Sequence, residues 1–231
     1  IVMYYFLKKY FLIKKHKLHN IFKLINKEDI IFDIGAHSGE KSKNLLKICA
    51  KLILVEPQPE CVKILKKKFR DISKVVILPC GISSKKEKLK LKINTSNPLI
   101  STFSDHWDKG RFSDSKWEKE INVNTTTLDQ LINDYGHPKY IKIDVEGFEF
   151  EVLKGLTKKT GIISFEFTSE FFKDAIKCLD YLNLLGYQKF NYSEGERKKF
   201  NFEWTSKDEI LEEIENKIKS NDYLWGDIYT Q

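Results

Sequence analysis

Asp29-Ile-Ile-Phe-Asp-Ile-Gly-Ala-His-Ser-Gly-Glu40 reads as a buried strand that runs straight into a glycine turn and then a helix. Gly35 lets the backbone turn sharply and approach a ligand without a Cβ. Gly39 opens a helix, expected over about Glu40 to Ala50, whose free N–H groups face that ligand. One β-α-β step later, Leu52-Ile-Leu-Val55 is an apolar strand ending in Glu56. That acid stands about 20 residues past the turn, the distance at which a ribose is gripped by its two hydroxyls.

The glycine spacing selects among nucleotide ligands. A dinucleotide site needs G-x-G-x-x-G to seat a pyrophosphate, whereas here Gly35-x-x-x-Gly39 follows an acid, Asp33. An acid beside the ligand repels phosphate and suits a cationic, amine-bearing cofactor. Asp33, Gly35, Ala36, His37, Ser38 and Gly39, with Glu56, are therefore expected to hold S-adenosylmethionine rather than NAD or FAD. Ordinary tight strand-to-helix connections also carry glycines, and Glu56 at its proper distance separates the two readings.

Alternation continues along the chain, with a helix over Pro59 to Phe69 that buries Cys61, Ile64, Leu65 and Phe69, and a strand over Val75 to Leu78. Lys88 to Ile93 alternates strictly and marks a half-wet strand, an insertion in the β-α pattern. It leads to Leu99–Phe112, a stretch dense in hydroxyls and aromatics, expected to lie over the pocket mouth. There Ser104 and Trp107 would contact the substrate and Arg111 would clamp it, unless Trp107 and Phe112 merely anchor the loop. A short strand over Val123 to Thr126, a helix over Leu128 to Tyr135 and a strand over Tyr140 to Ile143 follow, ending in Asp144-Val-Glu146-Gly147. Ligands of open α/β sheets bind at such strand ends. Two carboxylates there suit hydroxyl activation or a divalent cation, although Glu146 competes for the role of capping the helix expected over 149–157. Glu166, in the strand from Gly161 to Phe167, is a further acceptor-pocket candidate. The Asn/Asp-Pro-Pro-Tyr/Phe motif of base-amino methylation is missing at Asp144.

The 231 residues suit an α/β domain over 28–231 and a helical extension over 1–27. Hydrophobic content of 41% and charged content of 32% belong to a soluble globular chain. The basic excess, 40 residues against 33 and a net +7, lies mostly in lysines without interleaved aromatics. It reads as a solvated surface, and nucleic acid is not the expected partner. Cys49, Cys61, Cys80 and Cys178 form no C-x-x-C pair and read as reduced thiols of a cytoplasmic protein, with Cys80 structural rather than nucleophilic. In the extension, Val2–Leu7 and Tyr10–Ile13 are split by Lys8 and Lys9. This is an amphipathic helix that packs on the domain or makes a peripheral contact with an acidic membrane face, with no run long enough to span one.

Ile141-Lys-Ile-Asp-Val-Glu-Gly-Phe-Glu-Phe-Glu-Val-Leu-Lys-Gly155 resembles the signature of the FkbM family of S-adenosylmethionine-dependent methyltransferases, and the turn from Asp33 to Glu40 is similar to that family's cofactor loop. The Thr125–Asp129 segment, Ser101–Ser104, Trp107–Phe112, Ser164–Phe167 and Trp225–Tyr229 extend the likeness over about residues 28 to 230. The resemblance implies an α/β fold of the class I methyltransferase type, a Rossmann-like, doubly wound, mostly parallel sheet with flanking helices. It implies O-methylation of a hydroxyl on a sugar, glycan or related natural product, with Asp33, Gly35, Gly39 and Glu56 at the cofactor. It supplies no settled base. Asp144 or Glu146 is expected to take the proton or hold a metal, ahead of His37 and His106. An RNA methyltransferase, suggested by the positive charge, and a non-catalytic S-adenosylmethionine-binding protein are the alternatives.

Overall fold

The computed structural model describes residues 20–107, 112–195, 200–201 and 203–231. Strand β1 (Ile30–Ile34) lies in the middle of the main sheet, which is why an aspartate is its only polar residue and nearly all of it is buried. It pairs in parallel with β2 (Lys51–Val55), itself flanked by β3 (Val75–Leu78). The chain then leaves the sheet for β4 (Gly81–Ile82), β5 (Lys88–Ile93) and β6 (Lys119–Thr126), a three-stranded sheet of order β4-β6-β5. It returns in β7 (Tyr140–Ile143), on the other side of β1, and continues in β8 (Ile162–Thr168), β9 (Phe190–Glu194) and β10 (Trp225–Thr230). The main sheet has the order β3-β2-β1-β7-β8-β10-β9, and β10 runs antiparallel to both its neighbours. Strand order therefore reverses between β1 and β7, and a crevice opens there at the carboxyl ends.

Period-two alternation sends successive residues to opposite faces. Phe32, Ile34, Ile53 and Val55 join the cluster under helices α3 (Leu128–Tyr135), α4 (Glu149–Lys154), α5 (Phe172–Leu184) and α6 (Lys207–Ile218), which follow α1 (Ser42–Leu45) and α2 (Pro59–Lys68) in the chain. Ile31, Leu52 and Leu54 face the second cluster, with Leu45 of α1, Leu65 of α2, Ile21 and Ile25. Helix starts follow from local chemistry. Thr127 Oγ1 accepts from Gln130 N at the head of α3, Ser206 and Glu209 form a reciprocal capping box at α6, and Pro59 stands in the first turn of α2.

Several expectations are corrected. The helix expected over about Glu40 to Ala50 is a single turn, Ser42–Leu45. Beyond it the bonds tighten to three-residue spacing, Lys47 N to Asn44 O at 3.2 Å and Ile48 N to Leu45 O at 3.1 Å, which turns Cys49 inward. On α2, Val62 is buried and Ile64 is 46% exposed. β6 begins at Lys119, four residues before the strand expected from Val123, and α4 stops at Lys154 rather than at residue 157. Gly155 ends α4 against the backbone, a Cβ there meeting Ser83 O at 2.5 Å. The amphipathic helix expected over 1–27 lies, up to residue 19, outside the described residues. Asn20–Leu24 form a 3-10 turn, and Ile21 and Ile25 are buried in the core. Among the described residues no helix is long and apolar enough to cross a membrane.

Candidate active site

The turn after β1 is shaped by what lies beneath it. Gly35 has φ +81°, and a Cβ there would stand 1.9 Å from the carbonyl oxygen of Asp144, so the chain at the end of β7 forbids any side chain. Gly35 N and Ala36 N both donate to Val55 O, at 3.0 and 3.1 Å, tying the turn to the end of β2. His37, at φ +47°, donates its N–H to Glu56 Oε2 at 2.7 Å, and Gln58 N donates to Oε1 at 2.8 Å. Burial pushes the Glu56 carboxyl up to about 7, against the pull of these two N–H groups, and the charge of Asp33 adds to the rise. Gly39, at φ +74°, closes the turn through its N–H to Ala36 O at 2.8 Å. Its missing Cβ leaves room for Leu65 and Phe69 of α2. Lys68 Nζ holds Ser38 O and the Glu40 carboxylate.

Asp33 stands behind this turn, 1% exposed. Its Oδ2 accepts from Ser42 Oγ at 2.6 Å, and its Oδ1 lies 3.6 Å from Lys142 Nζ, an ion-pair distance rather than a hydrogen bond. Ala36, His37, Ser38, Gly39 and Glu56 thus share one wall, which Asp33 braces from within. Because α1 is one turn long and starts three residues after Gly39, Gly39 does not open the expected helix, and the N–H groups of Gly35, Ala36, His37 and Gly39 are bonded within the protein.

At the end of β7, Asp144 Oδ2 accepts from Lys142 Nζ at 2.9 Å and Lys41 Nζ at 3.0 Å. Burial alone would push the Lys142 ammonium down, yet Asp144 and Asp33 outweigh it and hold it above its ordinary range. The β7–β8 register sets Ile143 opposite Phe165, so Asp144 and Glu166 come side by side at the next position. Glu146 completes the group. One carboxylate oxygen from each of Asp144, Glu146 and Glu166 lies within 4.8 Å of the other two. Glu146 does not cap α4. Its backbone is left-handed at φ +56°, its carbonyl accepts from Thr102 Oγ1 at 2.6 Å, and the turn is tied by Glu149, whose Oε1 accepts from Val145 N and Gly147 N, both at 3.2 Å. Burial pushes the Glu149 carboxyl up to about 7.

The loop from the small sheet covers this end. Trp107 is 3% exposed, with its ring stacked on Phe171 at 4.9 Å and tilted against Phe112 at 5.2 Å. It fills the space over Gly147, where a Cβ would meet the ring at 2.4 Å. Phe103 packs on Phe148 at 5.4 Å. Beside these rings a cavity of about 360 Å³ opens between the loop, the 147–151 turn and α5, lined among others by Ser104, Trp107, Glu166 and Thr168. Ser104, Trp107 and Glu166, expected at the substrate, are therefore brought together, and His106 joins them. Trp107 both anchors the loop and walls the cavity. Arg111 lies outside the described residues. Lys142 and Glu149 were missed by sequence reasoning, and a lysine inside an apolar central strand was the available signal for the first. Of the thiols, Cys178 lines the cavity. Burial pushes Cys61 up to about 12 and Cys80 up to about 11.

The family description "Methyltransferase FkbM domain" matches residues 33–224. No curated protein sequence matches the chain. Among solved structures, the methyltransferase FkbM from Methylobacillus flagellatus KT aligns with a TM-score of 0.53 at 14% identity, over 90% of this chain and 44% of that one. The chain thus spans less than half the length of that relative. The precorrin-6y C5,15-methyltransferase from Geobacter metallireducens GS-15 aligns at 0.47 and 11% identity over 90% of this chain and 85% of that one. Fibrillarin from Aeropyrum pernix, solved with natively bound S-adenosyl-L-methionine, aligns at 0.45 and 9% identity over 90% and 68%. With most of its length matched and a class I methyltransferase sheet built around the β1 turn, the chain belongs to the FkbM family of S-adenosylmethionine-dependent methyltransferases.

Proposed function

We propose that the protein methylates a hydroxyl of a sugar, glycan or related natural product. The observation that carries this reading is the group Asp144, Glu146 and Glu166 at the ends of β7 and β8, within 4.8 Å of one another and beside the cavity that Glu166 lines. Acceptor-only carboxylates suit a hydroxyl, which must lose its proton as the methyl arrives.

The residues at the β1 turn fit S-adenosylmethionine. Each Glu56 oxygen accepts one backbone N–H, which leaves acceptor capacity for two ribose hydroxyls. The acids near the turn suit a cationic ligand, whereas the absent side chain at Gly35, expected to admit the ligand, instead makes room for the carbonyl of Asp144. When bound there, that cofactor supplies an electrophilic methyl on a sulfonium. Most of the chain's own work is positioning two reactants in one closed site. Glu146 takes the hydroxyl proton on its carboxylate, held by the strained turn that Thr102 and Glu149 fix from either side. Asp144, ion-paired to Lys41 and Lys142, keeps the end of β7 in place and aligned with the cofactor turn. Because Lys41 and Lys142 already pair with Asp144, it is not offered freely to a divalent cation, and methyl transfer is expected to survive EDTA.

Calorimetric titration with S-adenosylhomocysteine tests the cofactor. Incubation with S-adenosylmethionine bearing a deuterated methyl, followed by mass spectrometry of a mixed panel of saccharides, phenols, amines and RNA, tests the acceptor. Label on an oxygen of a small acceptor is the expected result. Label on an amine or on RNA alone would overturn the reading.

A further inference from the structure

We infer that the face of the main sheet carrying α1, α2 and the Asn20–Leu24 turn is a docking surface for an anionic lipid bilayer, with the basic, aromatic residues 1–19 as a second point of attachment. Such docking bears on where the protein works rather than on what it methylates.

Charge is sorted between the two faces of the sheet. Helices α1 and α2, on one face, carry five lysines and a single acid, Glu60. Helices α3 to α6, on the other, carry eleven acids against five lysines. A net +7 spread evenly would serve solubility, whereas its concentration on one side gives the molecule an oriented field. Part of that charge has no counter-charge in the fold. Among the described residues, Lys23, Lys27, Lys66 and Lys67 are exposed and form no ion pair, while Lys63 and Arg70 pair with Glu60 and Asp71. Ile64 stands between Lys63 and Lys67 on the outer side of α2, and it is one of three large apolar side chains exposed among the described residues. A headgroup layer takes up both an ammonium and a branched apolar side chain.

The chain before Asn20 continues from this same face, because Ile21 and Ile25 are buried in one cluster with Leu45 of α1 and Leu65 of α2. Residues 1–27 hold seven lysines and no acid. Tyr4–Leu7 and Tyr10–Ile13 are aromatic and aliphatic runs, each followed by a lysine pair. That composition suits entry into the boundary between headgroups and acyl chains, with the lysine heads left in the wet layer. Each lysine at an anionic bilayer strengthens binding about fivefold, so the four unpaired ones together supply roughly a several-hundredfold preference. RNA is the competing polyanion. It is read through arginine forks and stacked bases, and residues 1–74 contain one arginine, Arg70, already paired with Asp71.

The test sediments the full chain with vesicles of phosphatidylglycerol and phosphatidylcholine in equal parts, or of phosphatidylcholine alone. Binding to the anionic vesicles only, released by salt at about 0.5 M, is the expected result. Lys66→Glu/Lys67→Glu should weaken it at least about tenfold at an unchanged thermal midpoint, since neither lysine has an ion-pair partner in the fold. Phe6→Ser/Phe11→Ser should weaken it by a similar factor. Equal binding to both vesicle types, or wild-type binding by the charge-reversed variant, overturns the inference. A Phe6→Ser/Phe11→Ser protein that melts lower yet binds vesicles like wild type would also overturn it, because the segment then packs on the domain. RNA that binds more tightly than the vesicles and displaces them would assign the face to nucleic acid instead. S-adenosylhomocysteine should bind Lys66→Glu/Lys67→Glu as it binds wild type, so failure at the bilayer leaves the methyltransferase reading intact.

Discussion

Replacing Glu149 by glutamine should change how stability depends on pH more than it changes stability itself. Glu149 Oε1 holds the N–H groups of Val145 and Gly147, and glutamine keeps a carbonyl oxygen for both while removing the buried charge. The native carboxyl is pushed from 4.5 to about 7, chiefly by burial. A carboxyl raised in the folded state stabilises most while protonated. Its contribution is complete below about 4.5 and is lost as pH rises through about 7. Between about pH 5 and about pH 8 this shift removes about 2.5 kcal/mol from wild type and nothing from Glu149→Gln. Glu56, raised to about 7 by the same cause, is present in both proteins and cancels in the comparison. Urea unfolding of the two proteins at both pH values measures the difference directly. The expected outcome is that the variant gains on wild type by about 2.5 kcal/mol as pH rises. A difference that stays constant, or moves the other way, would refute burial as the source of the shift.

Glu56→Ala removes the acceptor of His37 N and Gln58 N together with the proposed ribose contact. Calorimetry should show S-adenosylhomocysteine affinity falling by about ten- to a hundredfold, with Glu56→Gln intermediate. Lys142→Met leaves Asp33 without its ion-pair partner and Asp144 with one lysine fewer. Chemical denaturation should register a loss of about 3–5 kcal/mol, partly recovered by adding Asp33→Asn. Gly35→Ala combines a φ of +81° with a Cβ 1.9 Å from Asp144 O. It is expected to lose at least about 2 kcal/mol by thermal unfolding and to bind S-adenosylhomocysteine poorly even where it folds. EDTA treatment, followed by the labelled-methyl assay, should leave the rate within about twofold, since Lys41 and Lys142 already compensate Asp144.

The sheet was legible because its signals are local. Ile30–Ile34, Lys51–Val55 and Tyr140–Ile143 are short apolar runs bounded by turn residues, and the lysine alternation of β5 could be read without knowing its partner strand. Glu56 was legible because a fixed β-α-β geometry sets its distance from Gly35. The pairing of Asp144 with Lys41 was not, since Lys41 stands 103 residues away and only the folded sheet brings them together. The choice between Glu146 and Glu149 at the 145–149 turn also escaped sequence. Either acid satisfies the need for an acceptor at a helix start, and the left-handed backbone at Glu146, fixed by packing, is what turns it away. α1 stopped early because Leu45 and Cys49 both had to reach the core, which a tighter winding achieves. The helical periodicity of Ile64 and Leu65 could not say which edge of α2 the sheet would cover.

The contact between Trp107 and Gly147 makes the two positions compete for one volume. A methyl group at 147 would overlap the indole at 2.4 Å, so neither residue can grow unless the other shrinks. Trading the indole for a smaller side chain would free space at 147 and widen the neighbouring cavity from that side, while Gly35 and Asp144 kept their own separate contact. Paired substitution at 107 and 147 therefore reshapes that cavity without disturbing the glycine turn after β1.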